Sequence, residues 1–298
     1  MSFSHDVKAE LCRQPFGGAC CAVAECYGVL LYCNTFSQRE ARIVTESGDF
    51  AARLPKLFRR AFGVTFDAQK SYASGKQTFT VNAREKLRAL FDAYGFELGF
   101  VLAHHINLGV LEEDCCRQSF LRGAFLAGGS VTDPAKRYHL ELVTDHYSVN
   151  RELFSLLLEL DFAPKDTARG GNYITYFKQS GAIEDFLTFI GAPVGAMTHM
   201  SAKIEKDMRN SVNRRVNCDT ANVSKTVDAA QAQIDAIQKL GADVAGLPEK
   251  LRRTAVLRLE NPELSLTELT ELFSPPVTKS CLNHRLRKLV ELADADAT

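Results

Sequence analysis

Apolar residues fall into the same succession of patterns twice along this chain. Residues 39–46 and 137–145 are short alternating or β-branched runs, with Ile43, Val44, Thr45 and Glu46 opposite Leu142, Val143, Thr144 and Asp145 at an offset of 99. Each run is followed by apolar residues three and four apart, the spacing of one helix face: Leu54, Leu57, Phe58 and Ala61 in the first copy, Leu153, Leu156, Leu157 and Leu160 in the second. Two strand-like runs around a glycine-centred turn come next, with Gly75 opposite Gly171 and Thr80 opposite Tyr176. A closing helix then sets Leu87, Leu90, Phe91 and Tyr94 opposite Ile183, Phe186, Leu187 and Ile190, now at an offset of 96. Further helices are expected near 18–29 and 117–128, one ahead of each copy. Each half therefore predicts the order αββαββα, and two such halves can pair their sheets into one pseudo-symmetric saddle of antiparallel strands with helices on one face. The expected repeats are 1–96 and 117–197, joined by a connector over 97–116.

After the second copy the pattern becomes helical. Val227, Ala230, Ile234, Ile237 and Leu240 give an amphipathic helix over 226–240 within a helical linker, 198–247, and Gly241 and Gly246 are expected to loosen the chain. A last domain is expected over 248–298. Pro248 suits the first turn of a helix whose buried stripe is Leu251, Ala255 and Leu259, ended by Asn261 and Pro262. Ser265 and Glu268 then form a capping-box pattern for a helix over 265–272 that turns Leu266, Leu269, Leu272 and the adjoining Phe273 inward. Pro275 and Pro276 stop it, and a third helix over 278–292 buries Leu282, Leu286, Leu289 and Ala293. Three helices with a short stop between the last two predict a helix-turn-helix. The fold class is thus α+β, a duplicated αββαββα domain followed by an all-α helix-turn-helix domain.

Composition adds bounds. The 298 residues, 46% hydrophobic, allow one large or two modest cores. Lys plus Arg equals Asp plus Glu at 36 each, so a basic surface must be local. The N-terminal MSFSHDVKAEL carries acids where a secretory signal needs a basic start and an apolar run, and no segment is apolar over the length of a membrane span. The nine cysteines include the pairs Cys20-Cys21 and Cys115-Cys116 but no CxxC spacing, which reads as reduced, mostly buried thiols in a cytosolic protein with no metal and no cofactor.

The local basic surface lies on the last helix, where residues 277–290 hold four Lys or Arg and no acid. Thr278, Lys279, Ser280, Asn283, His284, Arg285, Arg287 and Lys288 cover the side left free by its leucines. Thr278, Lys279 and Ser280 suit phosphates and base edges, Asn283 can pair bidentately with adenine, and Arg285 or Arg287 with guanine or phosphate. His284 alone reads as a surface or capping residue. Residues 199–217 carry a net charge of +3, with Asn210, Asn213 and Asn217 on one helical face. Arg209, Asn210, Asn213 and Arg214 are either a second DNA contact or linker amides bonded to the rest of the protein.

The helix reading LRGAFLAGGSV over 121–131, set within this element order, resembles the LAGLIDADG homing endonucleases. In that family the helix ends in an acid followed by glycine that holds a divalent cation for DNA cleavage; the matching position here is Gly128, before Gly129. In the first copy Glu25 falls inside the helix and not at its end, and Asp133, before Pro134, suits a turn. From SFSHDVKAEL through MRNSVNRRVNCDTANVSKTVDAAQAQIDAI to KSCLNHRLRKL, the chain is similar to the WhiA family along essentially its whole length. That resemblance implies a degenerate endonuclease fold without nuclease activity, a DNA-reading C-terminal domain, and a role in transcription, chromosome segregation, cell division and sporulation.

The first functional expectation is therefore a DNA-binding, non-enzymatic regulator of promoter DNA, cytoplasmic and nucleoid-associated, with another regulator or an RNA polymerase component as a partner and no membrane contact. The alternatives are a metal-dependent endonuclease acting through Asp133 or Glu25, and a protein-interaction scaffold built on the duplicated domain.

Overall fold

In the computed structural model, residues 2–99 and 103–295 are described. Part of the expected connector, 100–102, and the end of the last expected domain, 296–298, lie outside the described residues. The chain divides into two compact units, 1–207 and 208–298.

The first unit opens with α1 (Phe3–Arg13), capped by the Ser2 hydroxyl, and then presents two copies of one motif. The first is α2 (Ala19–Leu31), β1 (Thr35–Phe36), β2 (Ala41–Thr45), α3 (Gly48–Phe62), β3 (Ala68–Ser71), β4 (Gln77–Val81) and α4 (Arg84–Ala93). After a 3-10 turn at Leu108–Val110 come α5 (Asp114–Gly128), β5 (Gly129–Val131), β6 (Leu140–Thr144), α6 (Tyr147–Glu159), β7 (Lys165–Arg169), β8 (Asn172–Phe177) and α7 (Ser180–Ile190). Both halves have the predicted order. Strand register reproduces the sequence alignment: Thr45 pairs with Gln77 as Thr144 pairs with Tyr173. The helix-face residues at 54, 57 and 58, and at 153, 156 and 157, are buried, as are those of the closing helices.

The expected pairing of the two halves' sheets is not made strand to strand. The strands form two four-stranded antiparallel sheets, ordered β1-β2-β4-β3 and β5-β6-β8-β7, and among the described residues no ladder joins them. The halves meet through α2 and α5 instead. A Cβ on Gly28 would lie 2.0 Å from the Phe120 carbonyl oxygen, and one on Gly123 2.0 Å from that of Glu25. The two helices therefore touch backbone to backbone, and only hydrogen side chains permit it. Phe120, Leu121, Ala124 and Phe125 from α5 and Ala22, Tyr27, Val29 and Leu30 from α2 are all buried in the resulting core, which is continuous through both halves.

Helix α8 (Pro193–Leu240) begins in this unit. Its N-terminus is capped from α1, the Glu10 carboxylate accepting the N–H groups of Val194 and Gly195 at 2.8 Å each. His199, fully buried, is anchored to Glu184 at 3.0 Å.

In the second unit α8 is exposed from 208 to 229 and becomes buried at Ala230, Ile234, Ala236, Ile237 and Leu240. Gly241–Gly246 is not a loosened stretch but a 3-10 helix, followed by α9 (Glu249–Glu260), α10 (Leu266–Glu271) and α11 (Lys279–Ala295). Ala236, Ile237 and Leu240 share one core with Ala255, Leu269, Phe273, Leu282, Leu286, Leu289 and Ala293, and Val244 and Leu247 pack against it. The capping box forms as expected, with Ser265 Oγ accepting from Glu268 N–H and the Glu268 carboxylate accepting from Ser265 N–H. Leu259 and Leu272, expected inside, are exposed. Of the expected α9 stripe, Ala255 is buried and Leu251 packs against the core, joined there by Thr254 and Arg258; Arg258 lies buried with Nη1 donating to the Leu264 carbonyl at 2.7 Å, fixing the approach to α10.

The cysteines also depart from expectation. Only Cys21, Cys26 and Cys116 are buried, while Cys20, Cys115, Cys218 and Cys281 are exposed.

Candidate nucleic-acid interface

Leu282, Leu286, Leu289 and Ala293 recur at spacings of four, three and four, so α11 turns one side wholly into the core and its opposite side outward. At about 100° per residue, the centre of that outer side is Ser280, His284 and Arg287, flanked by Asn283 and Lys288. All five are exposed, as are Thr278 and Lys279. Thr278 starts the helix: its hydroxyl accepts the N–H of Cys281 at 3.2 Å, leaving its own proton free to donate. The first-turn N–H groups and the positive end of the helix dipole lie beside Lys279 and Ser280, an arrangement that favours an anionic oxygen.

Arg285 is placed differently from the others. It is half-buried at the edge of the core, its guanidinium 5.7 Å from the centre of the Phe273 ring. Arg253 from α9 stands at the same 5.7 Å from Phe273 and donates to the Ser274 carbonyl at 3.4 Å. Arg253 was not among the expected residues. Nothing in the spacing of α9 marks it, since what brings it to the turn before α11 is the burial of Thr254 and Arg258 beside it. Glu291 follows on the outer side of α11 and ends the run of uncompensated positive charge, so the basic surface is confined to 278–288.

On α8, Arg209, Asn210, Asn213 and Arg214 are all exposed, and Asn210, Asn213, Arg214 and Asn217 lie along one stripe. Among the described residues, the one hydrogen bond within the set is from Arg214 Nε to the Asn210 carbonyl, at 3.3 Å, one turn back. The amide side chains are not engaged in holding the fold among the described contacts.

The helix ends where the resembled nucleases carry their acids hold other chemistry. The packing of Gly28 against Gly123 equates Cys33 with Gly128 and Glu25 with Phe120, so Glu25 does not occupy the position it was compared with. A Cβ on Gly128 would lie 2.5 Å from the Val143 carbonyl oxygen and 3.1 Å from the Tyr32 side chain, which leaves no space for a carboxylate. The half-buried Cys33 shares its one thiol proton between the Leu30 and Thr35 carbonyls, each at 3.2 Å, and desolvation of the thiol pushes its pKa up to about 12. Glu25 is fully buried and held bidentately by Arg53 at 2.6 and 2.8 Å, with Arg122 at 3.6 Å. Asp133 is exposed and accepts the N–H of Ala135, a turn as its sequence suggests. Beside the end of α5 stands an ammonium: Lys8 Nζ donates to the Leu126 carbonyl at 3.1 Å, and desolvation lowers its pKa to about 8.

The fold and this exposed basic helix define a duplicated, homing-endonuclease-type α+β domain joined to a helix-turn-helix DNA-binding domain. Residues 117–209 match the family described as the WhiA LAGLIDADG-like domain, and residues 212–293 that described as the WhiA C-terminal HTH domain. The chain belongs to the WhiA family. A probable cell division protein WhiA of Ruminiclostridium cellulolyticum is 39% identical over 308 residues, spanning 99% of this chain and 97% of the relative. Its counterpart in Alkaliphilus metalliredigens is 36% identical, spanning 99% and 98%. Among solved structures, full-length DUF199/WhiA from Thermatoga maritima superposes over 99% of both chains with a TM-score of 0.60 and 26% identity. The N-terminal LAGLIDADG domain of DUF199/WhiA shares the fold at a TM-score of 0.51 and 22% identity, covering 64% of this chain and 92% of that one. Among the described residues, no helix is long and apolar enough to cross a membrane.

Proposed function

We propose that this protein is a sequence-specific DNA-binding regulator of transcription that acts in cell division, chromosome segregation and, in cells that sporulate, sporulation, and that it does not cut DNA. The observation that carries the reading is the outer side of α11, where Ser280, Asn283, His284, Arg287 and Lys288 project from a helix fixed by four buried residues. Asn283 and Arg287 are the base readers, Lys279 and Lys288 contact phosphates, and Arg285 and Arg253 support the flank from either side of Phe273. Arg209, Asn210, Asn213 and Arg214 form a second, weaker contact with the sugar-phosphate backbone. The working site is promoter DNA in the nucleoid, and the duplicated domain offers its surface to another regulator or to an RNA polymerase component.

Metal-assisted cleavage needs carboxylates converging beside the scissile phosphate. Gly128 and Cys33 supply none, Glu25 is neutralised by Arg53, and Lys8 presents a competing positive charge, all of which supports the non-catalytic reading. Selection from a random duplex library by the full chain tests the proposal. A single enriched motif is expected, with Asn283→Ala losing preference at one adenine. Recovery of unenriched sequence would refute it, as would nicking of supercoiled plasmid in Mg²⁺ that Asp133→Ala abolishes.

A further inference from the structure

Among the described residues, Cys20, Cys21, Cys115 and Cys116 bring their four Sγ atoms within 4.8 Å of one another. The pairs sit in the first turns of α2 and α5, and the displacement that relates Gly28 to Gly123 also relates Cys20 to Cys115 and Cys21 to Cys116. The cluster is thus a product of the duplication, with each half contributing one buried and one exposed thiol. It lies at the N-terminal ends of the paired helices, about 20 Å along α2 from the ends that carry the acids in the nucleases.

We propose that these four cysteines form a tetrathiolate site for a single Zn²⁺ ion that clamps the two halves of the duplicated domain together. Tetrahedral zinc with sulfur ligands has bonds of about 2.3 Å, which sets the sulfurs about 3.8 Å apart, a separation the cluster reaches with sub-ångström adjustments. Thiolates in this geometry select zinc over the hard cations. Four thiolates around one divalent ion leave a net negative charge, and the positive ends of the two helices whose first turns carry the cysteines offset part of it. Glu112, Glu113 and Asp114 beside the second pair favour a cation over an anionic ligand.

Access to the site is shaped by glycine. Gly17 has φ +65°, and a Cβ there would lie 3.2 Å from both the Cβ and the Sγ of Cys21; one on Gly18 would lie 3.4 Å from the Cys20 sulfur. The linkage closes a loop of most of the first repeat, from α2 to α5, where chain entropy makes a cross-link most effective. Binding converts thiols to thiolates and releases protons, so affinity rises with pH.

The test is metal analysis of the full chain purified under reducing conditions and reconstituted with Zn²⁺. About one tightly held zinc per chain is expected, lost at least tenfold in Cys21→Ser/Cys116→Ser and retained in Cys218→Ser/Cys281→Ser. Should the first variant fail to fold, the unaltered chain still decides the matter. Chelation should release the zinc and raise the number of thiols that react rapidly in the native state, and Co²⁺ should give intense thiolate-to-metal charge-transfer bands. Zinc retained when all four cysteines are replaced would overturn the proposal, as would no bound metal after reconstitution, or a disulfide within the cluster under reducing conditions.

Discussion

Replacing Gly28 or Gly123 with alanine perturbs the α2–α5 contact with a single methyl group. Its carbon would stand 2.0 Å from a carbonyl oxygen of the facing helix, where ordinary contact begins at 3.4 Å. The obstacle is backbone, so no rotamer change relieves it, and the helices must part by roughly an ångström. A gap of that order forfeits a quarter to a half of each dispersion contact along the seam, and overpacking in cores costs about 1–3 kcal/mol before such losses. The gain from alanine over glycine in a helix returns about 1 kcal/mol. A net destabilisation of about 2–4 kcal/mol follows for either variant, nearly equal in the two because the geometry is pseudo-symmetric. Gly181→Ala in α7 is the control, since nothing lies within 4 Å of the added carbon. Urea unfolding of the full chain, followed by far-ultraviolet circular dichroism, should show the transition of the first unit moving to lower urea in both variants and not in the control. If Gly28→Ala and Gly123→Ala unfold alongside Gly181→Ala, the helix-seam account of how the halves join is wrong.

Glu25→Gln leaves the Arg53 guanidinium buried without its counter-charge and should lower stability by about 3–5 kcal/mol in the same assay; a loss under 1 kcal/mol would show the pair to be dispensable. Ser265→Ala removes half of the capping box and should cost the second unit about 1 kcal/mol, read from its own thermal transition and leaving the first unit unchanged. Asp67, opposed by desolvation but held down by Lys86 and the Ala83 and Asn82 N–H groups, and Glu184, likewise opposed by desolvation but held down by Ser180 and His199, both titrate below their ordinary values. Their stabilisation is present above the unfolded-state pKa values near 3.8 and 4.5 and is lost as pH falls through the lower folded-state values. Melting temperature should therefore drop between pH 5 and pH 3 by more than in Asp67→Asn, and equal drops would remove Asp67 from the explanation.

Periodicity made the duplicated domain legible. Leu54, Leu57 and Phe58 repeat at helix spacing against strands of β-branched residues, and burial enforces that spacing wherever one face meets a core. The same signal located the outer side of α11, because four buried positions fix the rotation of a helix. What could not be read were properties of contact between distant segments. The two halves join where Gly28 meets Gly123, a contact that apolar spacing does not encode. Arg258 enters the core on a charge-neutral carbonyl partner from the next loop, displacing Leu259 to the surface. The cysteine pairs lack any local metal-binding spacing, since each supplies half of the cluster and only the symmetry of the duplication brings the halves together.

The central claim, that the outer side of α11 carries the DNA contact, is tested most directly by the salt dependence of duplex binding, measured by fluorescence anisotropy for the full chain and for Arg287→Ala/Lys288→Ala. The unaltered protein should lose affinity steadily as salt rises, and the variant should bind at least tenfold more weakly with a log–log slope shallower by about 2, one for each lost phosphate or base-edge cation. Equal affinity and an unchanged slope would place the DNA contact elsewhere on the molecule and contradict the account.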